Sequence, residues 1–228
     1  MRKLVGTTTF ILLGTAMAAP AGAQEIQAGM VFGPAFSNMT FDDPTGTLDP
    51  RIGATWGLYF VIGADGRFAI QPELVMTQKG LVFPAIDTEG NEFEATYSVG
   101  YLEVPILARV SYDAWAVRPF LLAGPVGAYR VTANYIADGY QDIDAKLATE
   151  KFDLGIAVGG GVELDVTGGT IQASLRYNQG LFDVEDTDGG ASSTGLWLDD
   201  VDGVDAPGGG KHRSISLVFG FARIVNIF

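Results

Sequence analysis

Cysteine is absent from all 228 residues, which excludes disulfide staples, thiol chemistry and lipid anchoring through an acylated cysteine. Basic residues are scarce, with Lys+Arg 14 against Asp+Glu 27 and a net charge of −13 at pH 7. That balance argues against nucleic acid as a partner, because phosphates are bound by Lys and Arg. Beyond residue 23 no apolar run approaches the length of a membrane-spanning helix. The most apolar stretch, Pro119 to Ala128, contains two prolines and two glycines. Only helices and closed barrels satisfy their backbone groups in lipid, so a membrane protein made from this chain has to be a β-barrel.

The start of the chain points to export. Arg2 and Lys3 precede an apolar stretch from Leu4 to Ala18, and Ala21-Gly22-Ala23 has the small-x-small pattern of a signal-peptidase site. Residues 1–23 are therefore expected to be a signal peptide, with residues 24–228 as one mature domain beginning at Gln24. Loss of two basic residues takes the net charge from −13 to −15.

Eight segments of the mature chain alternate with period two over lengths suited to tilted membrane strands. They are Ile26 to Met39, Ile52 to Ile62, Arg67 to Phe83, Thr96 to Ser111, Val117 to Thr132, Phe152 to Val166, Thr170 to Phe182, and a last one from about Lys211. The sixth has the clearest pattern. Phe152, Leu154, Ile156, Val158, Val162, Leu164 and Val166 share one face, opposite Gly155, Ala157, Gly159, Gly161, Glu163 and Asp165. The fifth is apolar on both faces, so alternation does not identify its inner side. Connections alternate between long, polar ones (40–51, 84–95, 133–151 and 183–210) and short ones (63–66, 112–116 and 167–169). Long loops outside and short turns in the periplasm, with both termini periplasmic, form the outer-membrane pattern. The expected fold is an all-β, eight-stranded, antiparallel up-and-down transmembrane barrel in a Gram-negative-type outer membrane.

Two blocks narrow this further. IQPELVMTQKG (Ile70 to Gly80) and YLEVPILARV (Tyr101 to Val110) resemble paired blocks of the PorT-like outer-membrane barrels. Weaker similarities are AGMVFGPAFSNM, PFLLAGPVGAY and LRYNQGL, which together touch most of the mature chain. Val75-Met76 stands where that family usually has an aromatic, and a few residues extend past its usual last strand. The resemblance implies the barrel fold and the outer-membrane location, and no particular activity.

The candidate site is the lumen. Alternation turns Glu73, Lys79, Glu103, Arg109, Glu163 and Arg176 inward from different strands. An eight-stranded barrel is just wide enough for side chains to fill it. Isolated buried ions cost several kcal/mol each, so these charges are expected to pair into a structural plug, with Arg176 reaching Glu73 or Glu103. A conduction path is the alternative. Glu73 and Glu103 could also be read as a catalytic carboxylate pair, but so narrow a barrel leaves no place for a substrate.

Other candidates are weaker. His212, the only histidine, stands two residues before Ser214, an H-x-S pair similar to that of lipid A deacylases. Ile215 replaces the Asn of that motif, no acid follows it, and alternation turns both side chains inward, so a solvated rim histidine is expected instead. Asp183 to Asp205 holds eight acidic residues and no basic one. This segment lacks the complete Ca²⁺-loop pattern and is expected to be a solvated acidic loop, with loose bridging of divalent cations to lipopolysaccharide phosphates conceivable. Trp56, Tyr59, Tyr112, Trp115 and Tyr129 are candidates for interface anchors. Trp197 falls in the acidic loop and is a candidate contact residue.

The expectation is thus a non-enzymatic envelope barrel with a closed lumen and acidic extracellular loops, requiring no cofactor or metal. A narrow transporter is the alternative, and a lipid-modifying enzyme a third. Implied partners are outer-membrane lipid and lipopolysaccharide, the barrel-assembly machinery, and an envelope protein whose identity the sequence does not indicate.

Overall fold

The computed structural model describes residues 25–41, 49–63, 67–86, 92–112, 117–137, 143–144, 151–182 and 210–225. The expected signal peptide, Trp115, Trp197, Phe228 and the acidic stretch 183–209 lie outside the described residues. All described regular structure is strand: β1 (Ile26–Phe41), β2 (Asp49–Ile62), β3 (Phe68–Ile86), β4 (Glu92–Ser111), β5 (Val117–Ala137), β6 (Ile143–Asp144), β7 (Phe152–Val166), β8 (Gly169–Gly180) and β9 (Gly210–Val225).

Pairing follows chain order from β1 to β5, continues from β5 to β7, β8 and β9, and closes where β9 meets β1 antiparallel. Eight strands thus form a complete ring. β6 is a two-residue addition against Asn134 and Tyr135 of β5. Closure leaves no open edge along the wall, the condition for a sheet to stand in lipid.

Period-two alternation assigns the two faces. Outward side chains are large and apolar: Met30 and Phe32 of β1, Ile52 and Trp56 of β2, Phe68 of β3, and Phe152 of β7 are all exposed. Inward side chains are buried and mixed, with polar groups beside two apolar clusters. One cluster joins Val31, Tyr59, Val61, Val75, Val218 and Ala222. The other joins Leu107, Phe120, Leu122, Val126 and Ala157. β5 supplies three residues of the second cluster, which identifies its inner face: Phe120, Leu122, Val126, Ala128 and Arg130 are buried.

Two bulges adjust the register. β2 carries an extra residue between Pro50 and Thr55, and β5 carries one opposite Gly100 and Tyr101. Beside the first, Gly80 has φ +148°, and a Cβ there would lie 1.8 Å from the Tyr97 carbonyl oxygen. Ser37 Oγ accepts from the Gly80 amide at 2.9 Å and donates to its carbonyl at 3.1 Å. A side-chain hydroxyl of β1 therefore satisfies backbone groups of β3 across the bulged end of β2.

Several expected boundaries require correction. β3 and β4 keep pairing through Ile86 and Glu92, leaving only 87–91 where a loop over 84–95 was expected. β5 likewise runs to Ala137 rather than Thr132, and β6 falls within the expected loop 133–151. On β4 the outward Glu94 and Thr96 are polar, and β3 passes through Pro84, so no period-two apolar pattern marks these ends although the ladder hydrogen bonds continue. Tyr59 is also reassigned. It is 1% exposed and faces the lumen, where Gly29 makes room for it: a Cβ on Gly29 would lie 2.6 Å from the Tyr59 ring.

A closed barrel of this kind should migrate faster on a detergent gel unheated than boiled, and give β-type circular dichroism. Recovery as soluble protein with no change of mobility on heating would contradict the fold.

Candidate functional site

Among the described residues, eight charged side chains are buried: Lys79, Arg109, Arg130 and Arg176, and Glu73, Glu103, Asp153 and Glu163. Four cations and four anions make the buried set neutral in a strongly acidic chain. The excess negative charge of the chain therefore lies outside this buried set.

The central contact is Arg176 Nη1 to Glu73 Oε2 at 2.6 Å, with the two side chains 8% and 0% exposed. β8 and β3 stand four strands apart whichever way the ring is followed, so this pair crosses the full lumen. Gly159, beside Arg176, leaves the guanidinium stem its space, since a Cβ there would lie 3.1 Å from Arg176 Cγ. Arg176 Nε also donates to Ser174 Oγ at 3.3 Å.

From Glu73 the network continues toward the end bearing the short connections and both termini. Gln71 Nε2 donates to Glu73 Oε1 at 2.6 Å, and Arg109 Nη1 donates to Gln71 Oε1 at 2.9 Å and Gln172 Oε1 at 3.1 Å. Arg109 also pairs with Glu163, and its guanidinium carbon lies 3.9 Å from the Phe120 ring centroid. Arg118 meets Glu163 at 2.7 Å and the exposed Asp165 at 3.0 Å, so the chain of contacts ends in solvent. Each buried carboxylate here has a cation and a neutral donor or second cation, the arrangement that lets ions persist away from water.

A second cluster lies toward the long loops. Lys79 Nζ is 2.6 Å from Glu103 Oε1, and Thr77 donates to Glu103 Oε2 at 2.9 Å. The Lys79 contact is ionic rather than an aligned hydrogen bond, since Glu103 Oε1 has no hydrogen-bond partner of proper geometry. Lys79 also stands 5.2 Å from the Tyr101 ring centroid, and Tyr101 meets His212 edge-on at 5.5 Å and 81°. Tyr101 Oη, both nitrogens of His212, Nε and Nη1 of Arg130, and Oδ1 of Asp153 are buried without hydrogen-bond partners. Between the two clusters is a cavity of about 20 Å³, bounded by Glu73, Arg176, Thr77 and Glu103 among others. It has room for about one water.

All six expected lumen residues thus face inward, in three pairs: Glu73 with Arg176, Glu103 with Lys79, and Glu163 with Arg109. Arg130 and Asp153 escaped sequence reasoning. Arg130 sits on the strand whose two faces are both apolar, next to a bulge that breaks its alternation. Asp153 carried a usable signal, because it shares parity with Gly155 and Ala157. His212 is corrected from a solvated rim residue to a buried one, 1% exposed, under the strand ends at the loop end. Its nitrogens have no hydrogen bond to Ser214, whose Oγ accepts from Asn178 at 3.4 Å. Among the described residues no group of His, Asp or Glu is placed to hold a metal ion.

A closed antiparallel ring with an apolar outer belt and a polar, charge-paired lumen defines the class of transmembrane β-barrels. The chain belongs to the outer membrane protein beta-barrel domain family, whose model matches residues 22–186. It is an outer-membrane β-barrel protein. Comparison with curated proteins gives no match. Among solved structures, the chain is similar to Neisserial surface protein A (14% identity, 90% of this chain and 98% of that one covered, TM-score 0.48). It is also similar to Ail of Yersinia pestis solved with the heparin analogue sucrose octasulfate (14%, 87% and 99%, 0.40). A third is OprG of Pseudomonas aeruginosa (12%, 90% and 98%, 0.42).

Replacing Arg176 with Met leaves Glu73 buried without its cation and should destabilise the barrel by about 3–5 kcal/mol in micelle unfolding. Glu73→Gln in the same molecule should restore part of that loss, because the two charges are removed together. Unchanged unfolding of Arg176→Met, or a double mutant equal to the sum of its singles, would show that the pair contributes nothing.

Proposed function

We propose that the protein is a non-enzymatic barrel of the cell envelope with a closed lumen. In this reading it displays acidic loops outside the cell and keeps both termini in the periplasm. The observation that carries the proposal is the Arg176–Glu73 contact between opposite strands. A solute moving along the axis would have to part this buried ion pair, whose two charges would then lose each other inside a narrow lumen. The inward histidine without hydrogen bonds argues against ester chemistry at His212 and Ser214. The lumen charges then serve stability, and contact with partners falls to the loops and the outer wall. These partners are lipopolysaccharide, the assembly machinery during insertion, and an envelope protein recognised at the loops. Within the family, the IQPEL and YLEVP blocks favour a PorT-like member.

A narrow transporter is the second reading. It is favoured by the cavity between the two charge clusters, which would be one station on a hydrated path.

Reconstituted in planar bilayers, the protein should be nearly silent, with conductance far below that of a 16-stranded porin. A stable, large, ohmic conductance would favour the transporter. Orientation is tested separately, using the absence of native cysteine. Ser193→Cys, in the acidic segment, should react with a membrane-impermeant maleimide on intact cells, and failure to label there but not after lysis would reverse the orientation.

A further inference from the structure

The outward face of β9 reads, from one end to the other, Lys211, Arg213, Ile215, Leu217, Phe219, Phe221, Arg223, all exposed. Four apolar residues are thus bracketed by cations. Arg213 and Arg223 are ten residues apart, which is about 34 Å of extended strand. At a tilt of about 40° this leaves about 26 Å along the membrane normal, close to the apolar band of roughly 25 Å in outer-membrane barrels. The two ends of this row therefore stand at the two headgroup levels, and Lys211 with Arg213 at the level beside the long loops.

No described carboxylate pairs with Lys211 or Arg213, in a chain where basic residues are outnumbered and the buried ones face anions. Gln179, opposite Arg213 on β8, already donates to the Gly180 carbonyl and accepts from the Tyr177 hydroxyl. Directly below, Ile215 lies between Phe36 of β1 and Tyr177 of β8 in the ladder, with Leu175 and Leu217 one step lower. The surface across β8, β9 and β1 is thus an apolar wall topped by two cations that pair with no described carboxylate, complementary to an amphiphile with acyl chains and an anionic head.

We propose that this surface binds a phosphorylated glycolipid of the outer leaflet, the lipid A part of lipopolysaccharide. Its phosphate would be held by Lys211 and Arg213, and its acyl chains would lie along Phe36, Leu175 and Ile215. Charge-assisted hydrogen bonds to phosphate are the strong ones, and at a low-dielectric boundary they are screened less than in water. The choice of leaflet rests on the loop end facing outward. The site itself does not depend on it, so surface labelling of cells and lipid binding in micelles fail independently.

The test uses the whole mature protein folded in detergent micelles and measures retained lipid by native mass spectrometry. Bisphosphorylated lipid A should be retained by wild type and bound about tenfold or more weakly by Lys211→Gln/Arg213→Gln. Heat-modifiable mobility on a gel verifies that the variant is folded. Arg223→Gln, at the opposite rim, should bind as wild type. Dephosphorylated lipid A and phosphatidylglycerol should be retained weakly by all three. Unchanged retention by the double variant, or equal retention of phosphorylated and dephosphorylated lipid A by wild type, would overturn the proposal. A loss caused by Arg223→Gln instead would overturn its location.

Discussion

A peptide group in hydrocarbon has no water to bond with, and most features of this protein follow from that requirement. Every wall strand is paired on both sides through the membrane, and the ring can only close if β9 returns to β1. Closing eight strands leaves an interior about as wide as the side chains that point into it. The lumen must then be filled by whatever the inward half of each strand carries. Tyr59, Tyr101, Phe120 and Arg109 do so, with glycines such as Gly29 and Gly159 yielding the space that large neighbours need.

Filling a lumen with charge is tolerable only when charges meet. The Glu73–Arg176 pair shows how distant strands are recruited: their positions in sequence are 103 apart, yet closure sets them face to face. Gln71 and Arg109 then link that central pair to Glu163 and, through Arg118, to the exposed Asp165. The cluster around His212 is different. Several of its buried polar atoms have no partner, so it is the less satisfied end of the lumen.

The outside obeys a simpler rule. Lipid-facing positions need only be apolar between the headgroup levels, and cations are favoured at those levels. β9 displays the whole rule in one strand, from Lys211 and Arg213 through Ile215 to Phe221 and on to Arg223. Acidic residues outnumber basic ones nearly two to one, yet the four that are buried among the described residues are matched by four buried cations.

Period-two alternation, a local property, was enough to determine the barrel class, the number of wall strands and the inward direction of Glu73, Lys79, Glu103, Arg109, Glu163 and Arg176. It reads true wherever one face of a strand meets lipid and the other a polar lumen, because the two environments then select opposite residues. It failed where that contrast vanishes. β5 is apolar on both faces since its inner residues pack on Leu107 and Ala157. The ends of β3, β4 and β5 pair on past the period-two pattern, which is broken by Pro84 on β3 and by Glu94 and Thr96 on β4. Which charge meets which, that Arg130 and Asp153 join the interior, and that Tyr59 and His212 are buried rather than at an interface were decided by tertiary structure. Those facts depend on ring closure, bulges and register, which bring together strands whose sequence separation says nothing about their distance across the lumen.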